Sequence, residues 1–150
     1  MEIRELGHLV LYVRDVDRSV AFYGEVLGWR RVAPASPGLP FAAFSSGRTH
    51  HELLLIEVGE DAASLPEGRR VGLYHFGLKV GDTDDDLREA LARLREADVR
   101  IVGSSDHTVT HSLYILDPDG NEVELYIDVA GIDWRNDPTL VAAPVRPLVL

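Results

Sequence analysis

The sequence predicts an α+β protein made of two β-α-β-β-β modules that pair into one curved mixed sheet around a cleft. Three observations carry this reading. A segment repeats itself at a constant offset, the hydrophobic period switches within each copy, and the apolar content suits one ordinary core. Residues 7–20 read G-H-L-V-L-Y-V-R-D-V-D-R-S-V, and the stretch opening at His75 reads H-F-G-L-K-V-G-D-T-D-D-D-L. Aligning His8 with His75 gives an offset of 67, which also pairs Leu11 with Leu78, Val13 with Val80, Asp15 with Asp82 and Asp17 with Asp84.

Each copy opens with alternating apolar residues, the pattern of a half-buried strand. Leu9, Leu11 and Val13 share one face, and His8, Val10 and Tyr12 the other. An acidic turn and a helical pattern follow. In copy one Val20, Phe22, Tyr23, Val26 and Leu27 fall at helical spacing, with Gly28 as the stop. In copy two Leu87, Leu91 and Leu94 mark the inner stripe of a helix over roughly 84–97. Asp17 and Asp84 stand where free amides favour an N-cap or first-turn carboxylate. The period then returns to two, at 29–32, 41–44 and 53–58 in copy one and at 100–102, 112–116 and 122–127 in copy two.

This divides a single domain over 1–150 into module one at about 5–58, a Gly-rich, charged linker at 59–71, module two at about 72–128 and a tail at 129–150. One module leaves a sheet face unburied, whereas two side by side can curl around a cleft. On spacing alone His8 and His75 read equally as similar strand ends in a duplicated core or as residues aimed into a shared site.

Composition narrows the classes. The chain has 150 residues, 45% of them apolar, with 25 acidic and 15 basic residues and a net charge of -10. A nucleic-acid surface needs clustered Lys and Arg, and none is present. Without cysteine there is no disulfide framework, thiolate nucleophile or Cys-ligated metal. The N-terminal residues lack the apolar core of a signal peptide, and no run is long enough to span a bilayer. A cytoplasmic protein without nucleic-acid or membrane partners is expected.

The segments H-L-V-L-Y-V-R-D-V-D-R-S-V-A-F-Y-G-E-V-L-G, Y-H-F-G-L-K-V and D-P-D-G-N-E-V-E-L-Y resemble the vicinal oxygen chelate superfamily over about residues 5–128. That group includes glyoxalase I, methylmalonyl-CoA epimerase, bleomycin- and fosfomycin-resistance proteins and type I extradiol dioxygenases. The resemblance implies metal ligands at His8, His75 and Glu124. Two imidazoles and a carboxylate with open positions suit non-haem Fe(II), although Mn²⁺, Ni²⁺ and Zn²⁺ also fit such donors.

The resemblance leans toward single-domain catechol 2,3-dioxygenases. His50-His51 is similar to the paired histidine before an apolar strand in those enzymes, which makes His51 the acid/base candidate. Tyr114, ten residues before Glu124, matches a tyrosine that hydrogen-bonds a substrate oxygen. The implied reaction is Fe(II)- and O₂-dependent cleavage of an aromatic diol to a hydroxymuconic semialdehyde type of product, by a homo-oligomer, most simply a dimer. Two features depart from the pattern. The larger extradiol enzymes carry a further domain in front, and they place another histidine before the tyrosine that Asp106, His107 and His111 do not match cleanly. Of these, His107 is the better candidate to act beside the site, since His111 opposes the face of Tyr114.

The alternative is a glyoxalase- or epimerase-like lyase or isomerase with a fourth ligand. The constant offset puts Glu57 opposite Glu124, and Glu52 is a second candidate. A ligand-sequestering resistance protein is a third reading. Phe22, Tyr23 and Trp29 are read as core, and Asp84-Asp85-Asp86 as a solvated helix start. Pocket walls are expected from residues 33–44 and from the tail. Its Trp134, Leu140 and Val141 are apolar enough to pack across the cleft or against a second subunit.

Overall fold

The L-V-L-Y-V run forms strand β1 (Leu9–Val13) with its odd-numbered residues inward, so Val13 is 1% exposed and its neighbour Tyr12 is 70% exposed. The computed structural model describes residues 1–32 and 40–150; of the expected wall at 33–44, residues 33–39 lie outside the described residues. The chain divides into two compact units, Met1–Leu65 and Pro66–Leu150.

In the first unit β3 (Leu53–Glu57) runs parallel to β1 and antiparallel to β2 (Phe41–Phe44), giving the order β1-β3-β2. Helix α1 (Val16–Val20) starts at Asp15, whose carboxylate accepts the Arg18 amide. It continues as a π-helical turn over Ala21–Val26, with Leu27 N–H reaching Phe22 C=O. The consecutive residues Phe22 and Tyr23 are both buried in this turn, joining Phe44. Gly28 then takes φ 75°, a left-handed stop that costs glycine little. The strand expected at 29–32 is reduced to an isolated bridge from Arg31 to Phe44.

In the second unit β4 (His75–Gly81) leads to helix α2 (Asp84–Glu96), then β5 (Ile101–Asp106), β6 (Thr110–Leu116) and β7 (Glu122–Asp128). Thr83 and Asp86 cap α2 reciprocally, and Leu87, Leu91 and Leu94 form its buried stripe. Each buried leucine contributes about 1.5–3 kcal/mol of apolar burial. The stripe and the inward residues Leu113, Ile115, Val123, Leu125 and Ile127 are all buried.

The tail adds a short strand β8 (Arg146–Pro147) to the edge of β5, so this sheet runs β4-β7-β6-β5-β8. The α+β class and the doubled module hold. Hydrogen bonding, however, groups the strands into two sheets, because each module pairs its first strand in parallel with its own last one.

The D-P-D-G-N segment fixes the register that matters most. Asp117 is buried and accepts the amides of Asp119 and Asn121 and the Asn121 side chain, while Gly120 takes φ 87°. This tight turn sets β6 against β7 so that Tyr114 lies directly opposite Glu124.

Candidate functional site

Strand alternation gives the second unit's sheet two faces. Val123, Leu125 and Ile127 are buried, while Glu122, Glu124, Tyr126 and Asp128 occupy the other face. The parallel ladder sets His75 opposite Glu122 and Gly77 opposite Glu124. The resulting cluster is close. His75 Nε2 lies 3.4 Å from Glu124 Oε2, and Tyr114 donates its hydroxyl to Glu124 Oε1 at 3.2 Å. With the phenol proton committed to Glu124, His107 Nε2, 2.6 Å from the same oxygen, acts as donor to Tyr114. Burial first, then the Glu124 charge and hydrogen bond, hold the Tyr114 phenol well above its ordinary pKa, so it stays a donor.

The spacing of the donors suits a divalent metal. Cis donors on an ion with bonds near 2.1 Å stand about 3.0–3.4 Å apart, the spacing of His75 Nε2 and Glu124 Oε2. The buried His75 Nδ1 makes no hydrogen bond, although Glu122 Oε1 comes within 3.3 Å. A carboxylate at that nitrogen is the partner that orients a ligating imidazole. Within each unit, among the described residues, no three His, Asp or Glu side chains converge as a complete cage. The second unit brings two candidate donors, His75 and Glu124, to the cis-donor spacing.

The first unit carries a histidine cluster. His8 precedes β1, and its ring centroid lies 4.6 Å from that of His51, which contacts His50 through Nδ1···Nδ1 at 2.6 Å. Burial first, then the neighbouring His50 and His8, lower the His51 pKa, favouring the neutral imidazole. Arg48 anchors the approach to His8. Its guanidinium donates to the Leu6 and Gly7 carbonyls at 3.1 Å each and to Glu52 at 2.9 Å. Burial raises the Glu52 pKa, but hydrogen bonds from Ser46 and Arg48 outweigh it and bring the carboxyl below its ordinary value. Glu52 is thus engaged in holding the loop.

The structure corrects the correspondence that put Glu57 opposite Glu124. Phe76 pairs with Val123 and its counterpart Leu9 pairs with Leu53, so the last strands correspond at an offset of 123 − 53 = 70, three more than the first strands. The counterpart of Glu124 is therefore Leu54, which has no ligating atom. Glu57 corresponds to the inward Ile127, and its carboxylate accepts the Val16 amide at the start of α1, 2.9 Å away. The constant 67 fails here because the helical stretch is longer in the second module, Asp84–Glu96 against Val16–Val26, so the offset has already reached 96 − 26 = 70 at the helix ends. His51 lies two residues before β3, outside the strand, so strand alternation does not set its direction.

His111 points away from Tyr114, as expected, and pairs with Asp84 at the start of α2, 2.6 Å away. Gly77 was not singled out in the sequence. A Cβ there would lie 3.2 Å from the Tyr126 ring and 3.3 Å from Glu124 Oε2. A lone glycine inside a strand pattern is the signal that marks such a close approach. An open cavity of about 310 Å³ begins at Glu124 and is lined by Val109, Thr110, Tyr126, Asp128, Trp134 and Val141. The tail therefore walls this cavity.

The fold is a doubled-module α+β fold with a His–Glu–Tyr cluster on the second unit's sheet, and comparison with known proteins gives the family. The model of the Glyoxalase/Bleomycin resistance protein/Dioxygenase superfamily matches residues 5–125, and the chain belongs to that superfamily. It is 36% identical over 136 residues to a catechol-2,3-dioxygenase of Bacillus subtilis (strain 168), covering 91% of this chain and 46% of the relative. It is 34% identical over 125 residues to a biphenyl-2,3-diol 1,2-dioxygenase 3 of Rhodococcus globerulus, covering 82% and 63%. The chain thus spans about half to two thirds of the length of these relatives. Among solved structures, a lactoylglutathione lyase from Agrobacterium tumefaciens matches with a TM-score of 0.63 and 29% identity, over 84% of this chain and 95% of that one. Among the described residues no helix is long and apolar enough to cross a membrane.

Proposed function

We propose that the protein is an extradiol dioxygenase, cleaving an aromatic diol with O₂ at an Fe(II) centre held by His75 and Glu124. The resemblance of the repeated first strand assigns the third ligand to His8. The observation that carries the reading is the Tyr114 hydroxyl on Glu124 beside His75, a hydrogen-bond donor fixed next to a ligand pair. Leu54 in the place of a fourth carboxylate argues against the lyase alternative, whose metal takes four protein ligands.

When bound, Fe(II) supplies Lewis acidity toward the diol oxygens and the redox capacity for O₂. The chain supplies the rest. His51, disfavoured as a cation, accepts a proton from the diol and later returns one. Tyr114, kept protonated, donates a hydrogen bond to a diol oxygen in the position it now uses toward Glu124. His107 holds the phenol ring, and Glu122, 3.3 Å from His75 Nδ1, is placed to orient that imidazole. The reaction conserves atoms: diol plus O₂ gives a ring-opened semialdehyde acid that keeps both oxygen atoms. Anaerobic reconstitution with Fe(II), followed by oxygen-uptake measurements with a panel of catechols, tests the proposal. Uptake with at least one of them is expected; bound iron without uptake on any overturns it.

A further inference from the structure

On the reading above, in which Tyr114 is the working donor, we infer that Arg146 of the tail is a positioning residue. With Asp106 it clamps Thr108 in a strained turn, and that turn holds His107 against Tyr114. The connection between β5 and β6 carries the observation. Thr108 takes φ 71°, in the left-handed region that a β-branched residue rarely enters. The Val109 amide donates back across it to the His107 carbonyl at 2.8 Å, the hydrogen bond of the rare, strained form of a three-residue turn. Such a backbone favours glycine, yet the chain puts threonine there.

The turn is held from two sides. Asp106, the last residue of β5, accepts the Thr108 amide through Oδ1 at 2.7 Å. Arg146 in β8 donates to Thr108 Oγ1 at 3.1 Å and stands 4.0 Å from Asp106 Oδ2. Glycine would offer no hydroxyl to Arg146; threonine supplies that handle and brings the strain with it. The pairing of β8 with β5 sets Arg146 opposite Asp106, and Ser104 Oγ donates to the Leu148 carbonyl at 2.9 Å just beyond.

The residue that this turn aims is His107. Its N–H donates to the Thr110 carbonyl at 2.9 Å, and its own carbonyl accepts from Val109. With the backbone so fixed, the imidazole reaches back along the hairpin until Nε2 lies 2.6 Å from the Tyr114 oxygen. Strained backbone persists only where its surroundings over-determine it. Without the clamp the turn relaxes and His107 leaves with it. Arg146 is exposed and its ion pair is loose, so its loss leaves the fold nearly as stable and is felt at the turn.

The test compares the 150-residue chain with Arg146→Ala, Thr108→Gly and the double variant. The readouts are ¹⁵N NMR of the histidine side chains in the metal-free chain and kcat of the Fe(II)-loaded protein. The Nε2 proton of His107, assigned by its absence in His107→Ala, should give a slowly exchanging signal in the parent. In Arg146→Ala that signal should vanish by exchange, and kcat should fall about fivefold, the worth of one neutral hydrogen bond. Thr108→Gly removes the strain, so the double variant should match Thr108→Gly alone in both readouts. A His107 signal unchanged by Arg146→Ala overturns the inference. So does a double variant in which losing Arg146 costs as much as it does in the parent. The signal needs no turnover, so its expected pattern supports the inference even where no catechol is consumed. Uptake beside an unmoved signal overturns the inference and leaves the dioxygenase reading in place.

Discussion

Tyr114 and Glu124 face each other across the β6–β7 ladder, with the phenol hydroxyl 3.2 Å from one carboxylate oxygen and His75 3.4 Å from the other. The carboxylate is thereby oriented from one side and offered to a metal from the other. Removing the hydroxyl tests what this orientation contributes. Tyr114→Phe should keep its metal, lose a hydrogen bond to a charged group and turn over about 10–100-fold more slowly. Steady-state kinetics beside metal analysis measures this, and an unchanged kcat would show that Tyr114 serves packing alone.

Glu57 caps α1 through the Val16 amide and is expected to leave metal binding untouched. Glu57→Ala should cost roughly 1 kcal/mol in a urea titration, the worth of a carboxylate at free helix amides. Its metal content should match that of the parent. Loss of the metal with the fold intact would restore the four-ligand arrangement and with it the lyase reading.

Gly77 leaves the space in which the Glu124 carboxylate sits. Gly77→Ala puts a methyl 3.3 Å from Glu124 Oε2 and 3.2 Å from the Tyr126 ring, so one of them must move. Metal affinity is expected to fall about tenfold, the scale of a disturbed ligand surrounding, with little change in circular dichroism. Unaltered affinity would mean that Tyr126 yields and Glu124 does not.

Stability at acid pH follows from the α2 cap. Hydrogen bonds from the Thr83 hydroxyl, then the Asp82 and Thr83 amides, lower the Asp86 pKa from its ordinary 3.8. A carboxyl depressed in the folded state stabilises above its unfolded pKa, and that contribution is lost as pH falls through the lower folded value. Asp86→Asn should flatten this part of the stability–pH profile below about pH 4. Thr83→Ala should cost about 1 kcal/mol at neutral pH. A profile as steep in Asp86→Asn as in the parent would contradict the assignment.

The fold class was legible because periodicity survives in single residues. Leu9, Leu11 and Val13 turn inward as written, and Leu87, Leu91 and Leu94 are buried together. The pairing of Tyr114 with Glu124 was legible from ten residues of spacing around a D-P-D-G-N turn whose geometry allows little slack. Glu57 misled because an offset measured on first strands carries no information about helix length further along, and a shift of three residues moves a side chain to the opposite face. Gly77 was silent because its part is the space left by a side chain it lacks. The strand at 29–32 dwindled to a bridge because Arg30 and Val32 exchange backbone bonds with Ser45 and Ala43 around a single pairing.

The most direct test of the central claim is the fate of oxygen in the product. Fe(II)-reconstituted protein turning over a catechol under ¹⁸O₂ should release a ring-opened acid carrying label in both newly formed oxygen groups. A product of unchanged oxygen content, or one labelled only from water, would contradict the account and point to proton-transfer chemistry on the same fold.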